Sequence, residues 1–394
     1  MERTPQKFPL FQSFWQAGFE CADHLNVHGD RVDLLEVTGH DVLVEKDYAA
    51  LRQFNISTVR EGIRWNKVEK RPGMYDWSEV SDRIEAGKKL GVQQIWDICH
   101  FGFPDDLSPL QPHFAERLAS VAESFTDLWH NLTDAPLIIT PINEISFLSW
   151  LGGERKGTIP YLEGKGWEIK YELVKAAMKV IDAVLKVDPS ARILHTEPLV
   201  YILPWSDDPQ HIKEAARANE IQFQTLDMFA GTLCPELGGG DKYTDIIGLN
   251  FYYNNQWEHQ RERIRWEEPR DPRWKPLNIL LQEVYGRYKK PMCISETSHL
   301  GVGRGEWIRE IASECRLALE AGVDLNGICL YPVIDRPDWD DLSRYHNSAL
   351  WDMSIEQGKL PERILCEDYA KDLLIAQKEL ENYIAGDIEA YKYA

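Results

Sequence analysis

The sequence predicts an α/β protein of the (β/α)8 TIM-barrel class. Eight short apolar runs alternate with longer helical patterns, the rhythm of successive strand–helix units. No low-complexity linker or composition shift divides the 394 residues. A doubly wound sheet, the competing architecture, needs a glycine-rich phosphate loop after its first strand. Here that strand runs into Cys21-Ala22-Asp23-His24. The chain is therefore expected to form one barrel domain over residues 1–394, with a C-terminal helix at about 361–383 packed outside it.

The expected strands are 14–20, 57–63, 92–98, 136–143, 192–197, 245–252, 291–296 and 327–332. Each is a short apolar run, as a strand buried on both faces requires. The intervening helices are expected at 42–54, 77–90, 114–130, 167–187, 209–230, 277–288 and 306–321. In the fourth of these, Ile169, Leu173, Ala176, Ala177, Val180 and Val184 recur at three- and four-residue steps and mark one buried face. Gly91 and Gly322, each just before an expected strand, suit helix C-termini. Two segments exceed ordinary loop length: 152–166 after strand four and 254–275 after strand six. Both follow the C-terminal ends of strands, where barrel enzymes build their active sites.

Composition narrows the function. Hydrophobic residues make up 43% and charged residues 27%, the mix of a globular protein with ample core. No run approaches 18 consecutive apolar residues, so no membrane span is expected. Lys and Arg number 44 against 64 Asp and Glu, a net charge of −20 that repels a phosphate backbone. The most basic stretch, 259–273, interleaves its five Arg with three Glu and one Asp and reads as a solvated loop. Seven scattered cysteines with no Cys-x-x-Cys pair argue against a disulfide framework or structural zinc. Residues 1–10 lack the basic-then-apolar order of a signal peptide. The expectation is a cytoplasmic protein with neither nucleic-acid nor membrane partners.

Polar residues stand where the apolar strands end, which in a barrel is the active-site face. Strand four ends in Asn143-Glu144 and strand seven in Glu296. Strand two carries Arg60, strand three leads into His100, and strand six closes on Asn250-Phe251-Tyr252. Strand eight leads through Tyr331 to Asp335, Asp338 and Trp339. Two carboxylates on opposing strands can act on one acetal, one as proton donor and the other as nucleophile. A cation such as Arg60 and a hydroxyl such as that of Tyr252 would stabilise the charge on Glu296. Glu144, in a drier setting, would keep its proton. Asn143 is left free to bind a sugar hydroxyl, and Tyr331 and Trp339 offer rings to stack on a pyranose.

These segments together resemble the family 1 glycoside hydrolases, the β-glucosidases and their relatives, from about Phe14 to Met353. Arg60-Glu61-Gly62-Ile63-Arg64-Trp65 is similar to that family's Arg-Phe-Ser-Ile-x-Trp, with Glu69-Lys70-Arg71-Pro72-Gly73 following in the expected place. Cys99-His100-Phe101-Gly102-Phe103-Pro104 resembles Tyr-His-Trp-Asp-Leu-Pro, and Asn143-Glu144 stands for Asn-Glu-Pro. Residues 245–252, Asp-Ile-Ile-Gly-Leu-Asn-Phe-Tyr, resemble Asp-Phe-Ile-Gly-Ile-Asn-Tyr-Tyr. Ile294-Ser295-Glu296-Thr297 resembles Ile-Thr-Glu-Asn, and Asp335-Arg336-Pro337-Asp338-Trp339 parallels Asp-Asn-Phe-Glu-Trp. The resemblance implies a cofactor-free, exo-acting, retaining β-glycosidase acting on a small carbohydrate or glycoside. Glu296 would be its nucleophile and Glu144 its general acid/base. Arg60, His100, Asn143, Tyr252, Tyr331, Asp338 and Trp339 would bind substrate.

The departures mark a divergent branch. Ile145 replaces a proline, Ser298 a glycine, Asp338 the sugar-binding glutamate and Tyr331 a tryptophan platform. Glu20 or Asp23 occupies the region of the first-strand glutamine, and Glu61 puts a charge where the family has Phe. All these changes are expected around the sugar. A metal-dependent sugar isomerase or epimerase using Glu144, His195, Glu197 and Glu296 is a second reading, and a non-catalytic sugar-binding barrel a third. The remaining candidates divide similarly. His195 and Glu197 are expected to support the site, His299 to be loop polarity, and His113 and His130 to lie on the surface. Trp257, Trp266 and Trp274 would either line an aglycone site or cap the barrel.

Overall fold

A computed structural model describes residues 10–356 and 358–392; residues 1–9, part of the stretch read for a signal peptide, lie outside it. Eight parallel strands close into a barrel: β1 (Trp15–Gly18), β2 (Thr58–Gly62), β3 (Gln93–Asp97), β4 (Ile138–Thr140), β5 (Arg192–Pro198), β6 (Ile246–Asn250), β7 (Met292–Thr297) and β8 (Leu325–Leu330). Each pairs with its neighbours in chain order, and β1 closes on β8 through the register Trp15↔Ile328. All eight expected strands are present, which makes the chain a TIM barrel. Inward positions Ile95, Ile138, Leu194, Ile246 and Cys293, one from each of β3 to β7, meet Phe11 and fill the barrel interior.

The helices α1 (His40–Leu51), α2 (Ser78–Leu90), α3 (Phe114–Leu132), α4 (Gly166–Val187), α5 (Pro209–Ile221), α6 (Gln224–Ala230), α7 (Leu277–Tyr288) and α8 (Arg304–Glu320) lie between the strands along the chain. All six apolar positions predicted for one face of α4 are buried, and α4 packs on α3. Gly91 ends α2 in the left-handed conformation, φ 66°, where its backbone N–H reaches back to the last carbonyls. The expected helix 209–230 is two helices, broken at Gln222-Phe223. The long loop after β4 begins later than expected, because a helix over Ile145–Gly153 comes first. The long loop after β6 contains a short strand, Gln256–Glu258, paired with Tyr201–Leu203. A last helix, α9 (Glu367–Lys392), lies against α8. None of the helices, over the described residues, is long and apolar enough to cross a membrane.

Strand alternation decides where the charges of β2 go. Arg60 points into the barrel, so Glu61 points out, between the strand and the helix layer. This corrects the expectation that Glu61 borders a sugar. Its Oε1 accepts hydrogen bonds from His40 Nε2 at 2.8 Å and Tyr48 at 2.7 Å, and its Oε2 from Arg83 at 2.6 Å. His40 Nδ1 donates to Asp47 at 2.8 Å, and Asp47 is gripped through both oxygens by Arg363 at 2.8 and 2.9 Å. Burial disfavours the charged ring of His40. Yet Glu61's charge and its hydrogen bonds to Asp47 and Glu61 outweigh that and raise its pKa. Burial likewise works against the charge on Glu61, but His40 and Arg83 bring its carboxyl down to about 2.

Because His40 titrates higher when folded, its stabilisation is complete below its unfolded value and is lost as pH rises through the folded one. Glu61 has the opposite sign: its share is present above its unfolded value and disappears as pH falls toward about 2. Replacing one partner leaves the others buried and uncompensated. Glu61→Gln is thus expected to cost about 3–5 kcal/mol. Urea unfolding at neutral pH checks this, and an unchanged midpoint would contradict it.

Candidate active site

At the C-terminal mouth of the barrel, the inward side chains of neighbouring strands form one hydrogen-bonded floor. Arg60 on β2 is 1% exposed. Its Nε and Nη2 donate to both oxygens of Asp97 on β3, at 3.0 and 2.7 Å. Nη2 also donates to Asn143 Oδ1 at 2.7 Å, and Nη1 to Glu296 Oε1 at 2.5 Å. Burial opposes the charge on Asp97, but Arg60 and His100 outweigh it and hold its carboxyl below the usual range. His100 Nδ1 lies 2.8 Å from Asp97, and its Nε2 lies 3.1 Å from Asn143 Nδ2. The ring therefore carries its proton on Nδ1 and accepts from the amide. Asn143 Oδ1 also accepts from Thr196 at 2.7 Å. Asn143 is not free, as expected, but is fixed at both ends, with one amide N–H left over.

Local backbone geometry aims the two glutamates. Glu144 caps the helix Ile145–Gly153 in a left-handed conformation, φ 44° and ψ 60°. That costs a non-glycine residue roughly 1–2 kcal/mol. The turn is held by hydrogen bonds from Glu144 N–H to Thr196 at 2.9 Å and from Leu148 N–H to Glu144 at 2.8 Å. The buried carboxylate of Glu197 receives Ser146 N–H at 3.2 Å, and burial pushes it up to about 7. On β7, alternation would turn Glu296 outward, because Ser295 already faces in to donate to Asn250 at 2.6 Å. An irregularity in the pairing of β7 with β6, between Ile294 and Glu296, lets both residues face inward. Gly248 makes room for this: a Cβ there would stand 2.6 Å from Ser295 Oγ.

The surroundings of the two carboxylates differ. Glu296, 4% exposed, receives Arg60 at 2.5 Å on one oxygen and the Tyr252 hydroxyl at 2.6 Å on the other. Burial, then the charge of Glu296 and the hydrogen bond to it, raises Tyr252 well above its ordinary value, so it stays a donor. Glu144 receives one hydrogen bond, from Asn250 Nδ2 at 2.9 Å. Burial, then the negative charge of Glu296, pushes its carboxyl well above the usual range, although Asn250 and Arg60 partly oppose this. Asn250 thus links the two sides, through its amide to Glu144 and its carbonyl oxygen to Ser295.

The rim departs from expectation. Tyr331 is buried rather than offered as an open platform. Its ring is parallel to His100 at 5.9 Å, and its hydroxyl lies 3.4 Å from both His100 and Glu20. Glycine at 18 permits this seat, since a Cβ there would meet the Tyr331 ring at 2.1 Å. The Asp338 carboxylate is instead paired with Arg344 and, at 3.3 Å, with His346. Trp339 stands edge-on to His24 at 4.6 Å and Phe101 at 5.4 Å, with Arg336 over its ring at 5.3 Å. Glu20 lies beside this group, 3.1 Å from Arg336. Asp23 is fully buried on the same side, and burial raises its carboxyl well above the usual range.

Arg60, His100, Asn143, Glu144, Tyr252 and Glu296 thus come together, Tyr331 and Trp339 flank them, and Asp338 does not join. His195 donates Nε2 to the Tyr243 carbonyl at 2.6 Å and lies against Phe229, so it supports β5 rather than facing Glu144. Among the described residues the one close group of three potential metal ligands is Cys21, Asp97 and His100. It shares no residue with the set that a metal-dependent isomerase would use. Trp266 and Trp274 are buried against Trp307 of α8. His299 is buried with them, beside Tyr253 and Trp266, which corrects its reading as loop polarity. His113 and His130 are exposed. All seven cysteines are free thiols.

Sequence reading missed three residues of this floor: Asp97, Thr196 and Ser295. The signal for Asp97 was a lone acid inside the apolar run Ile95-Trp96-Asp97-Ile98, a residue that only a buried cation would allow.

No protein-family model matches the chain, and no curated protein matches it. Solved structures do. The AHE enzyme from Alicyclobacillus herbarius superimposes with a TM-score of 0.74 at 16% identity, over 95% of this chain and 100% of that one. A β-glucosidase from Thermotoga maritima in complex with glucoimidazole gives 0.73 at 14% identity, over 93% and 98%. A β-glycosidase from Pyrococcus horikoshii gives 0.73 at 15% identity, over 95% of each chain. A family 1 β-glucosidase from Thermotoga maritima gives 0.72 at 13% identity. The barrel of this chain therefore has the fold of the family 1 β-glucosidases.

Proposed function

We propose that the chain is a retaining, exo-acting β-glycosidase in which residues 1–394 work as one catalytic domain. Glu296 is the nucleophile and Glu144 the general acid, then base. The observation that carries this is the unequal treatment of the two carboxylates. Glu296 is ion-paired to Arg60 and hydrogen-bonded by Tyr252, whereas Glu144 receives only Asn250, and desolvation with the charge of Glu296 raises its carboxyl well above the usual range. An acetal needs such a pair, one group to protonate the leaving oxygen and one to attack the sugar carbon. Attack forms a glycosyl ester on Glu296. Glu144, having lost its proton to the leaving group, then takes one from the water that breaks the ester. His100, Asn143, Glu20 and Trp339 border the place of the sugar, and the two carboxylates complete the chemistry without a cofactor. Seven free thiols suit a reducing compartment, the cytoplasm.

The fold of the solved relatives supports this reading, and the T. maritima protein holding glucoimidazole makes a β-glucoside the first substrate to try. Proton NMR of the first product formed from an aryl β-glucoside is expected to show the β-anomer. Initial formation of the α-anomer would mean inversion, and a carboxyl–carboxyl separation of roughly 6.5–9.5 Å instead of about 5–5.5 Å would agree with it.

A further inference from the structure

Behind Glu144 stands a buried glutamate that the proposed reaction does not use. On β5, Thr196 turns inward to donate to Asn143, so alternation sends the next residue, Glu197, outward to the helix layer. Glu197 is 3% exposed. Both of its oxygens receive the Ser146 N–H, at 3.3 and 3.2 Å, and the Ile145 N–H also favours its charge. These are the first two N–H groups of the helix Ile145–Gly153, which find no partner inside it. A proline at 145 would bring no N–H; isoleucine brings one, and Glu197 is the anion set beside it.

The rest of the surroundings are sparse in charge. Lys170 of α4, itself buried, is the cation that faces Glu197, and its Nζ donates to Gln224 of α6 at 3.0 Å. Thr225, also of α6, meets the Ser146 hydroxyl at 2.9 Å. On the same strand His195 gives its Nε2 proton to the Tyr243 carbonyl. The nearest reacting group is Glu144, at the start of the turn that Glu197 holds. A serine or glutamine could cap the same N–H groups without the cost of burying a charge. The charge has an effect that a neutral cap would lack: after burial and Glu296, it is a further negative charge that disfavours ionised Glu144.

We propose that Glu197 is a positioning residue for Glu144, its carboxylate fastening the first turn of Ile145–Gly153 so that Glu144 keeps the left-handed backbone that aims it. This rests on the glycosidase reading above. Glu197→Gln keeps an acceptor for Ser146 and removes the charge, whereas Glu197→Ala removes both. The test measures kcat/KM against pH for phenyl and 2,4-dinitrophenyl β-glucosides, together with carbon NMR of labelled glutamate. Glu197→Ala should lose at least about tenfold on the phenyl glucoside, the scale of a misplaced reacting group, and much less on the dinitrophenyl one, which leaves without a proton. Glu197→Gln should recover most of that loss. Its alkaline limb should move to lower pH, and its Glu144 resonance should titrate lower than in the parent.

A role confined to the fold would lower both substrates alike and leave the titration of Glu144 in place; either result overturns the proposal. Where Glu197→Ala does not fold, the glutamine variant decides through the same titration. Hydrolysis by the parent with an unmoved Glu144 titration removes only the positioning role. A lowered titration in a parent that hydrolyses neither glucoside removes the glycosidase reading and leaves the coupling of the two glutamates.

Discussion

Glu296→Gln is expected to lower kcat on an aryl β-glucoside by at least about 10⁴-fold, the scale seen when a covalent nucleophile is removed. The amide has nearly the same shape as the carboxylate, so the change acts on chemistry before it acts on structure. Glu296 now accepts Arg60 Nη1 at 2.5 Å and the Tyr252 hydroxyl at 2.6 Å, one donor on each oxygen. Glutamine can accept only one of them, and its NH2 group then faces the other donor. Arg60 keeps both oxygens of Asp97 and the Asn143 carbonyl oxygen, so it is not left unpaired. The fold should therefore survive, substrate should still bind, and the loss should appear in kcat rather than KM. Steady-state kinetics with a chromogenic β-glucoside measure it. A variant within tenfold of the parent would remove Glu296 from the reaction.

The parts of this site that were legible in the sequence are those where one residue reports its own surroundings. A strand buried on both faces must be an apolar run, so Glu144 and Glu296 stood out at the ends of β4 and β7. What pairing decides was less visible. Alternation sends Arg60 inward and Glu61 outward, and the partners that make Glu61 tolerable, His40 and Arg83, lie on two different helices. The irregularity that brings Ser295 and Glu296 to the same side depends on the register of β6, which no local pattern encodes. The helix Ile145–Gly153 begins with Ile-Ser-Phe-Leu-Ser-Trp-Leu, whose mixed apolar spacing does not announce a helix behind a strained cap. Tyr331 was read as a platform because its position in the chain suggested one. Gly18, on the opposite side of the barrel closure, is what lets the ring sink against β1. The fold follows from local patterning, whereas the aim of individual side chains follows from contacts between strands distant in sequence.

The same coupling yields the second large effect, on Glu144. Glu144→Gln should cost roughly 10²–10⁴-fold in kcat/KM for substrates whose leaving group needs a proton, and much less for strongly acidic phenols. Under the proposed mechanism the acid form of Glu144 is the active one. Activity should then hold below its raised pKa and fall as pH rises through it, and the glutamine variant should lose that alkaline limb. Burial is the largest reason the carboxyl sits high, and the charge of Glu296 is the next. When Glu296 becomes a glycosyl ester, its negative charge is gone. The pKa of Glu144 must then fall, and the group that protonated the leaving oxygen becomes a better base for the incoming water. Glu296→Gln reproduces that loss of charge without any substrate. Carbon NMR of labelled glutamate in that variant should show Glu144 titrating lower than in the parent, yet still above an ordinary carboxylate. An unchanged titration would mean that burial alone sets the proton, and the switch from acid to base would need another cause.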